Sequence, residues 1–209
     1  MDRAAHWDDI YRSKAPQERS WHQEDPGGPI AAILATGVPP ERPLIDIGGS
    51  SGLLVERLLQ RGWEDLTVLD ISAEAIAQGK SRLGAAASRI HWICADVTTW
   101  RPQRRYALWH DRAALHFLTQ ASDRRAYVGT LRAALQVGGF ALISGFGPQG
   151  PLQCSRLPVT RTDAQGLQEL LGADFVLVGS AEVTHTTPWG TTQQFVGATF
   201  RRERAGASP

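Results

Sequence analysis

The run Leu44-Ile45-Asp46-Ile47-Gly48-Gly49-Ser50-Ser51-Gly52 constrains this chain more than any other. A short, mostly apolar stretch meets five small residues, and Leu53, Leu54, Leu58 and Leu59 follow at helical spacing before Gly62. The pattern predicts a buried strand, a tight turn and a helix. A strand that feeds a helix in this way returns to a parallel neighbour in the same sheet. Small residues at the turn let the backbone approach a ligand and adopt unusual dihedrals.

The alternation continues down the chain. Strands are predicted at 66–69, 90–94, 106–110 and 140–144, and helices at 52–61, 73–83 and 123–135. Ser72 stands where a hydroxyl caps the helix at 73, and Gly138-Gly139 stands where a helix ends before the fifth strand. Upstream, helices are predicted at 4–12 and 30–36, with a polar stretch broken by Pro16, Pro26 and two glycines between them. After a helix at 164–171 the rhythm changes: 175–183 and 194–201 both read as strands, joined only by 184–193. The expected fold is α/β, a Rossmann-like seven-stranded, mostly parallel sheet with helices on both faces and an antiparallel C-terminal strand pair. The 209 residues suit one domain, 1–209, with 1–40 as an N-terminal helical segment and 41–209 as the core.

Charge excludes some partners. The formal net charge is +1, and nothing in it argues for nucleic acid or an anionic membrane, so neither is expected as a target. Lys14 and Lys80 are the only lysines, and Arg201, Arg202 and Arg204 read as a solvated end. Cys94 and Cys154 match neither a disulfide framework nor zinc-ligand spacing. The start, MDRAAHWDDIYRSK, has no apolar signal core, and no run is long enough to span a bilayer, so a cytoplasmic setting is expected.

Ligands of open α/β sheets sit beyond the carboxyl ends of the strands. Asp70 closes the second strand in LTVLDIS, where a carboxylate can accept both hydroxyls of a ribose. Asp96 follows the third in IHWICADVTTW, where a carboxylate can accept the exocyclic amine of an adenine. Each acid alone reads as an ordinary surface or capping residue. Three such features at the ends of successive strands point to a nucleoside. The G-x-G-x-x-G spacing of dinucleotide sites is absent. Asp46 would repel a phosphate, but it suits a ligand that carries an ammonium and a sulfonium.

With these residues the chain, from about 44 to 202, resembles the class I S-adenosylmethionine-dependent methyltransferases. The family's first motif, an acid, a residue and then G-x-G-x-G, is similar to Asp46-Ile47-Gly48-Gly49-Ser50-Ser51-Gly52, with Ser50 in place of the middle glycine. The resemblance implies that S-adenosyl-L-methionine is the cofactor and S-adenosyl-L-homocysteine the product. It assigns cofactor binding to Trp21, Asp46, Gly48, Gly49, Ser50, Gly52, Asp70, Ile71, Ala95, Asp96, Val97, His110 and Asp111. The motif YALWHDRAALHFL is similar to the one that lines the family's methyl-transfer site, and LRAALQVGGFALIS to its helix, glycine turn and fifth strand.

The acceptor is less defined. Ser20-Trp21-His22-Gln23-Glu24 resembles the segment before the core of thiopurine S-methyltransferases, in which the N-terminal region folds over the cofactor. That implies a lid carrying Trp7 and Trp21; the plainer reading is that both tryptophans anchor the segment to the core. Asp111-Arg112-Ala113-Ala114 is similar in its acid and its positive charge to the Asp-Lys-Gly-Thr of elongation-factor-type protein-lysine methyltransferases. The leading expectation is methyl transfer to a small molecule, a thiol or another soft sulfur-type nucleophile. Protein-lysine methylation and a non-catalytic S-adenosylmethionine-binding partner protein are the alternatives. Asp111 is expected beside the cofactor's methionine part or the transferring methyl. His116, expected to begin the helix after strand four, is the acid/base candidate, and a packed or capping histidine is its other reading. His110 and His116 do not share a helical face, so no metal site is expected from them. Cys154, on the glycine- and proline-rich connection 145–158, and His185 and Trp189, between the last strands, are further candidates for the acceptor pocket. Monomer and homodimer both stay open.

Overall fold

A computed structural model describes residues 2–49 and 52–203; Ser50 and Arg204 lie outside them. The chain runs α1 (Arg3–Ser13), α2 (Gly27–Ala35), β1 (Leu44–Ile47), α3 (Leu53–Leu59), β2 (Leu66–Asp70), α4 (Ala73–Leu83), β3 (Ile90–Cys94), β4 (Tyr106–Arg112), α5 (Ala121–Ala134) and β5 (Leu135–Phe146). It continues through β6 (Gln153–Cys154), β7 (Leu157–Pro158), α6 (Ala164–Leu171), β8 (Phe175–Thr186) and β9 (Thr192–Arg202). Seven strands form one sheet in the order β3-β2-β1-β4-β5-β9-β8. The first five are parallel, and β9 is antiparallel to both β5 and β8. The expected architecture is therefore the observed one.

Side-chain alternation along the strands builds two cores. Ile45, Ile47, Leu69, Trp109, Ala141 and Ile143 face α5 and α6, where Tyr127, Leu131, Leu167 and Leu171 close over them. Leu44, Leu66, Val68, Leu108 and Leu142 face the other way, under Ile30 and Ile33 of α2 and Leu54, Val55 and Leu58 of α3. Strands buried on both faces carry apolar residues at consecutive positions, which is why β1 reads as a run and not as an alternation.

Three local expectations are corrected. Gly138-Gly139 does not end α5, which stops at Ala134; the pair lies inside a longer β5. There the register against β4 jumps from Tyr106↔Leu135 to Leu108↔Phe140. Gly138 has φ 80°, and a Cβ on Gly139 would lie 2.8 Å from the Ala107 carbonyl oxygen, so the glycines serve a bulge and not a cap. The last two strands extend to Thr186 and Thr192, leaving a shorter connection than expected. The 145–158 connection contains a small hairpin, β6–β7, whose turn residues Ser155 and Arg156 both have positive φ.

Candidate active site

One cavity opens at the carboxyl ends of β1 to β4, where the strand order reverses direction. Gly48 forms its floor after β1. Leu69, Asp70 and Ile71 line it from the end of β2, Ala95, Asp96 and Val97 from the end of β3, and Arg112, Ala113 and Ala114 from the end of β4. The N-terminal segment supplies a roof of Arg3, Trp7, Tyr11 and Trp21, and Phe117, Leu118 and Cys154 close the far side.

The loop leaves no room for larger side chains. Gly48 has φ 66°, and a Cβ on Gly49 would lie 2.4 Å from an Asp46 carboxylate oxygen. The two acids on the wall are held by their own turns. Asp70 Oδ1 accepts from the Ser72 N–H at 2.9 Å. Asp96 Oδ1 accepts from the Thr98 N–H at 2.8 Å and the Thr98 hydroxyl at 2.6 Å. Arg3 lies 3.6 Å from Asp96 Oδ2 and also pairs with Asp123. The roof is an aromatic cluster: ring centroids are 5.8 Å apart for Trp7 and Trp21, 4.8 Å for Trp7 and Phe117, and 6.1 Å for Tyr11 and Trp21. Side chains fasten the roof to the core. Asp8 accepts from the Ser72 hydroxyl at 2.6 Å and the Glu74 N–H at 3.1 Å. Arg112 donates to the Trp21 carbonyl at 3.1 Å, and His185 Nε2 lies 2.7 Å from the Ser20 carbonyl.

Residues 44–139, which contain this loop and both acids, match the family described as methyltransferase domain. This stretch is a methyltransferase domain. No curated protein sequence matches the chain. Among solved structures it resembles one from a study of the conversion of a disulfide bond into a thioacetal group during echinomycin biosynthesis (19% identity, 98% of this chain and 93% of that one, TM-score 0.77). It also resembles a SAM-dependent methyltransferase from Anabaena variabilis (18% identity, 97% and 96% covered, TM-score 0.73). A third is the 1,6-didemethyltoxoflavin-N1-methyltransferase of Burkholderia thailandensis, with 1,6-didemethyltoxoflavin and S-adenosylhomocysteine bound (22% identity, 96% and 84% covered, TM-score 0.66). These likenesses are likenesses of fold.

The cavity suits S-adenosylmethionine, the cofactor that the sequence resemblance implies. Gly48 presents bare backbone to it, two carboxylates stand at the ends of adjacent strands, Ile71, Ala95, Val97 and Leu118 offer apolar faces to a flat base, and the roof is aromatic. Of the residues expected from sequence, Trp21, Gly48, Asp70, Ile71, Ala95, Asp96 and Val97 line the cavity. Gly49 and Gly52 shape the loop behind it, Gly49 against Asp46 and Gly52, at φ 66°, against Leu83 and Trp92.

Four expected residues point elsewhere. Asp46 turns beneath the loop, its Oδ1 2.7 Å from His110 Nδ1 in a buried pair. His110 lines a separate groove on the sheet face under α2. Asp111 is fully buried against α5. It accepts from the N–H groups of Ala114 at 2.8 Å and Leu115 at 3.1 Å and from the Tyr127 hydroxyl at 2.7 Å. Burial raises its pKa to about 6 against those hydrogen bonds. It fastens the turn after β4 and does not reach the cavity. His116 sits in a 3₁₀ turn, Leu115–Phe117, and not at the start of α5. It lies outside the cofactor cavity, its ring edge-on to Phe117 and tilted against Phe146. Desolvation, with Arg112 adding to it, lowers its pKa to about 3, so its ring is neutral.

The cavity also contains residues the sequence left open or missed. Cys154 lies on its wall, its thiol pushed up by burial, with Ser20 Oγ 3.8 Å away. His185 is buried and lines the groove, whereas Trp189 is exposed. Arg112 lines both the cavity and the groove. Its charge was visible in the sequence, but its direction was not. Among the described residues there is no group of three His, Cys, Asp or Glu side chains placed to hold a metal ion, and no helix is long and apolar enough to cross a membrane.

Proposed function

We propose that the chain transfers a methyl group from S-adenosylmethionine to a small molecule through a soft, sulfur-type nucleophile, inside the cavity roofed by residues 1–40. The observation that carries this reading is the aromatic cluster of Trp7, Tyr11, Trp21 and Phe117, which lines the same cavity as Asp70 and Asp96. In this reading Asp70 holds the ribose and Asp96 the adenine amine, with Ile71, Ala95 and Val97 around the base. Gly48 leaves the floor open for the methionine part. Bound there, the cofactor supplies an electrophilic methyl on a sulfonium and leaves as S-adenosylhomocysteine. Aromatic faces near a sulfonium contribute about 0.5–2 kcal/mol. The chain's part is alignment and exclusion of water.

A sulfur acceptor fits the residues around the cavity. A free thiol has a pKa of about 8.5 and is partly thiolate near neutrality. It loses its proton to solvent before the new S–C bond forms and the S–CH3 bond breaks, so no general base is required. Neutral His116 lies outside the cavity, and the turn claims Asp111. The Cys154 thiol, kept protonated by burial, serves as wall and not as a competing nucleophile. The thiopurine-type reading of Ser20 to Glu24 agrees with the place of Trp21 in the roof. The fold relative from the echinomycin study belongs to work on a disulfide bond.

A protein-lysine acceptor would call for an acidic approach. The neighbouring groove has no acidic residue on its wall. The cavity encloses about 130 Å³; ordinary ligand pockets hold about 300–1,000 Å³. The test is a turnover assay with thiols, sulfide, amines and cell extract, reading S-adenosylhomocysteine. Product with a thiol or sulfide alone is expected. Product only with the protein fraction transfers the reading to a protein methyltransferase, and cofactor binding without product favours a non-catalytic partner protein.

A further inference from the structure

Arg112 stands apart from the other arginines drawn into the fold. Arg19 donates to the carbonyls of Tyr11 and Lys14 and to Gln78, and Arg124 to the carbonyls of Leu118 and Thr119. Arg132 pairs with Asp174 and donates to Leu171, and Arg202 donates to two carbonyls at the end of α5. Among the described residues Arg112 makes one hydrogen bond, to the Trp21 carbonyl at 3.1 Å. Its guanidinium lies 5.4 Å from the centre of the Phe195 ring. No carboxylate among the described residues forms an ion pair with it; the Asp46 charge acts on it from a distance while paired to His110. A guanidinium has five donors in a planar fork. Burial has cost this one much of its hydration, and pulls its pKa down to about 10. A half-buried cation with donors left open among the described residues favours an anion that can meet the fork.

Its position says which anion. Arg112 forms the partition between the roofed cavity and a groove of about 510 Å³ that runs across β4, β5, β9 and β8. The polar groups on the groove include Gln23, His110, Ser144 and His185, and none of the lining residues is acidic. A small anion approaching along it meets no acidic lining residue and reaches the Arg112 guanidinium, which holds the Trp21 carbonyl.

We propose that Arg112 recognises a carboxylate on the acceptor, so that the substrate is a small anionic molecule whose sulfur reaches the cavity while its carboxylate stays on the guanidinium. The proposal rests on the reading of the roofed cavity as a small-molecule transfer site. A bidentate carboxylate is the best match for the fork, and lysine, a point charge, reproduces it only in part.

Two pairs of probes test it. In turnover, 3-mercaptopropionate is compared with 2-mercaptoethanol. In binding, benzoate and benzamide are titrated by NMR into the complex with S-adenosylhomocysteine. The wild type is expected to prefer the anion in each pair by roughly tenfold or more, the usual worth of a charge-assisted hydrogen-bonded pair. Arg112→Met and Arg112→Gln are expected to lose the preference, and Arg112→Lys to recover part of it. All three variants are expected to bind S-adenosylhomocysteine within a few-fold of wild type, which also reports folding. If no thiol is methylated but benzoate still binds in an Arg112-dependent way, the sulfur reading fails and the anion site stands. A wild type that does not distinguish benzoate from benzamide overturns the proposal. So does a preference that survives Arg112→Met. Loss of S-adenosylhomocysteine affinity with the benzoate preference intact would assign Arg112 to the cofactor's own carboxylate, and the proposal would fall.

Discussion

Asp70 and Asp111, on the parallel strands β2 and β4 that flank β1, show how two aspartates can take opposite tasks. Asp70 is on the cavity wall, with one oxygen holding the Ser72 N–H. Asn at this position keeps that acceptor and removes the charge. Asp70→Asn is expected to weaken S-adenosylhomocysteine at least tenfold by calorimetry, about the worth of a charged hydrogen bond to a ribose. Unchanged affinity would remove the ribose role. Asp111 is a structural acid in the chain Trp109 Nε1–H to Tyr127 hydroxyl to Asp111. Its folded pKa of about 6 lies above the ordinary 3.8, so the folded state favours the protonated form. Its contribution to stability is full below pH 3.8 and is lost as pH rises through about 6. His116 works the other way, contributing fully above 6.5 and losing it as pH falls through about 3. Asp111→Asn is therefore expected to remove a fall in urea stability between pH 4 and 6 while leaving cofactor affinity unchanged (the window follows from the shifted pKa). A profile identical to wild type would show that Asp111 does not titrate there.

The N-terminal segment and the β6–β7 hairpin both bring a side chain to the cavity. Trp21 is carried into the roof by contacts its own backbone makes, the carbonyls of Ser20 and Trp21 meeting His185 and Arg112. Trp21→Ala keeps those carbonyls and removes the ring. It is expected to leave part of the cofactor affinity and to slow turnover about tenfold or more, since loss of a roof costs water exclusion and alignment. Wild-type turnover would sink the lid role. The hairpin presents Cys154 through a two-residue turn in which Ser155 (φ 50°) and Arg156 (φ 64°) are both left-handed, a conformation suited to Asn-Gly. Left-handed backbone costs an ordinary residue about 1–2 kcal/mol. Arg156→Gly is expected to raise the urea stability by about 1 kcal/mol. A loss of stability would mean that the Arg156 side chain contributes more than the turn costs.

At the scale of the molecule, the strand order β3-β2-β1-β4-β5 sends successive crossovers in opposite directions from β1. Right-handed crossovers then place α3 on one face and α5 on the other. The two cores are separated by the sheet, so they should respond independently. Ile33, under α2, and Ile45, facing α5, are both fully buried. Each Ile→Val change is expected to cost about 0.5–1.5 kcal/mol, and the double variant the sum to within about 0.5 kcal/mol in urea titrations. A strong departure from additivity would show that the faces are coupled through the strands.

The reversal of strand order also explains which parts of the site could be read in advance. Gly48, Asp70, Ile71 and Ala95 to Val97 were legible because each is placed by its own strand end. A parallel strand delivers its last residue to the same edge whatever the rest of the molecule does. The fold was legible for a similar reason: the strand, turn and helix signals are local. Strand four was only half legible. Alternation says that Trp109 and Asp111 share one face and that His110 and Arg112 share the other. It does not say which face meets the cavity. That was decided when α5 packed over the first pair, taking Asp111 into its hydrogen bonds with Tyr127 and leaving Arg112 on the cavity wall. The roof was decided in the same way. Trp7, Trp21 and Cys154 meet there through contacts between segments far apart in the chain, and no local pattern encodes the distance at which a chain folds back on itself.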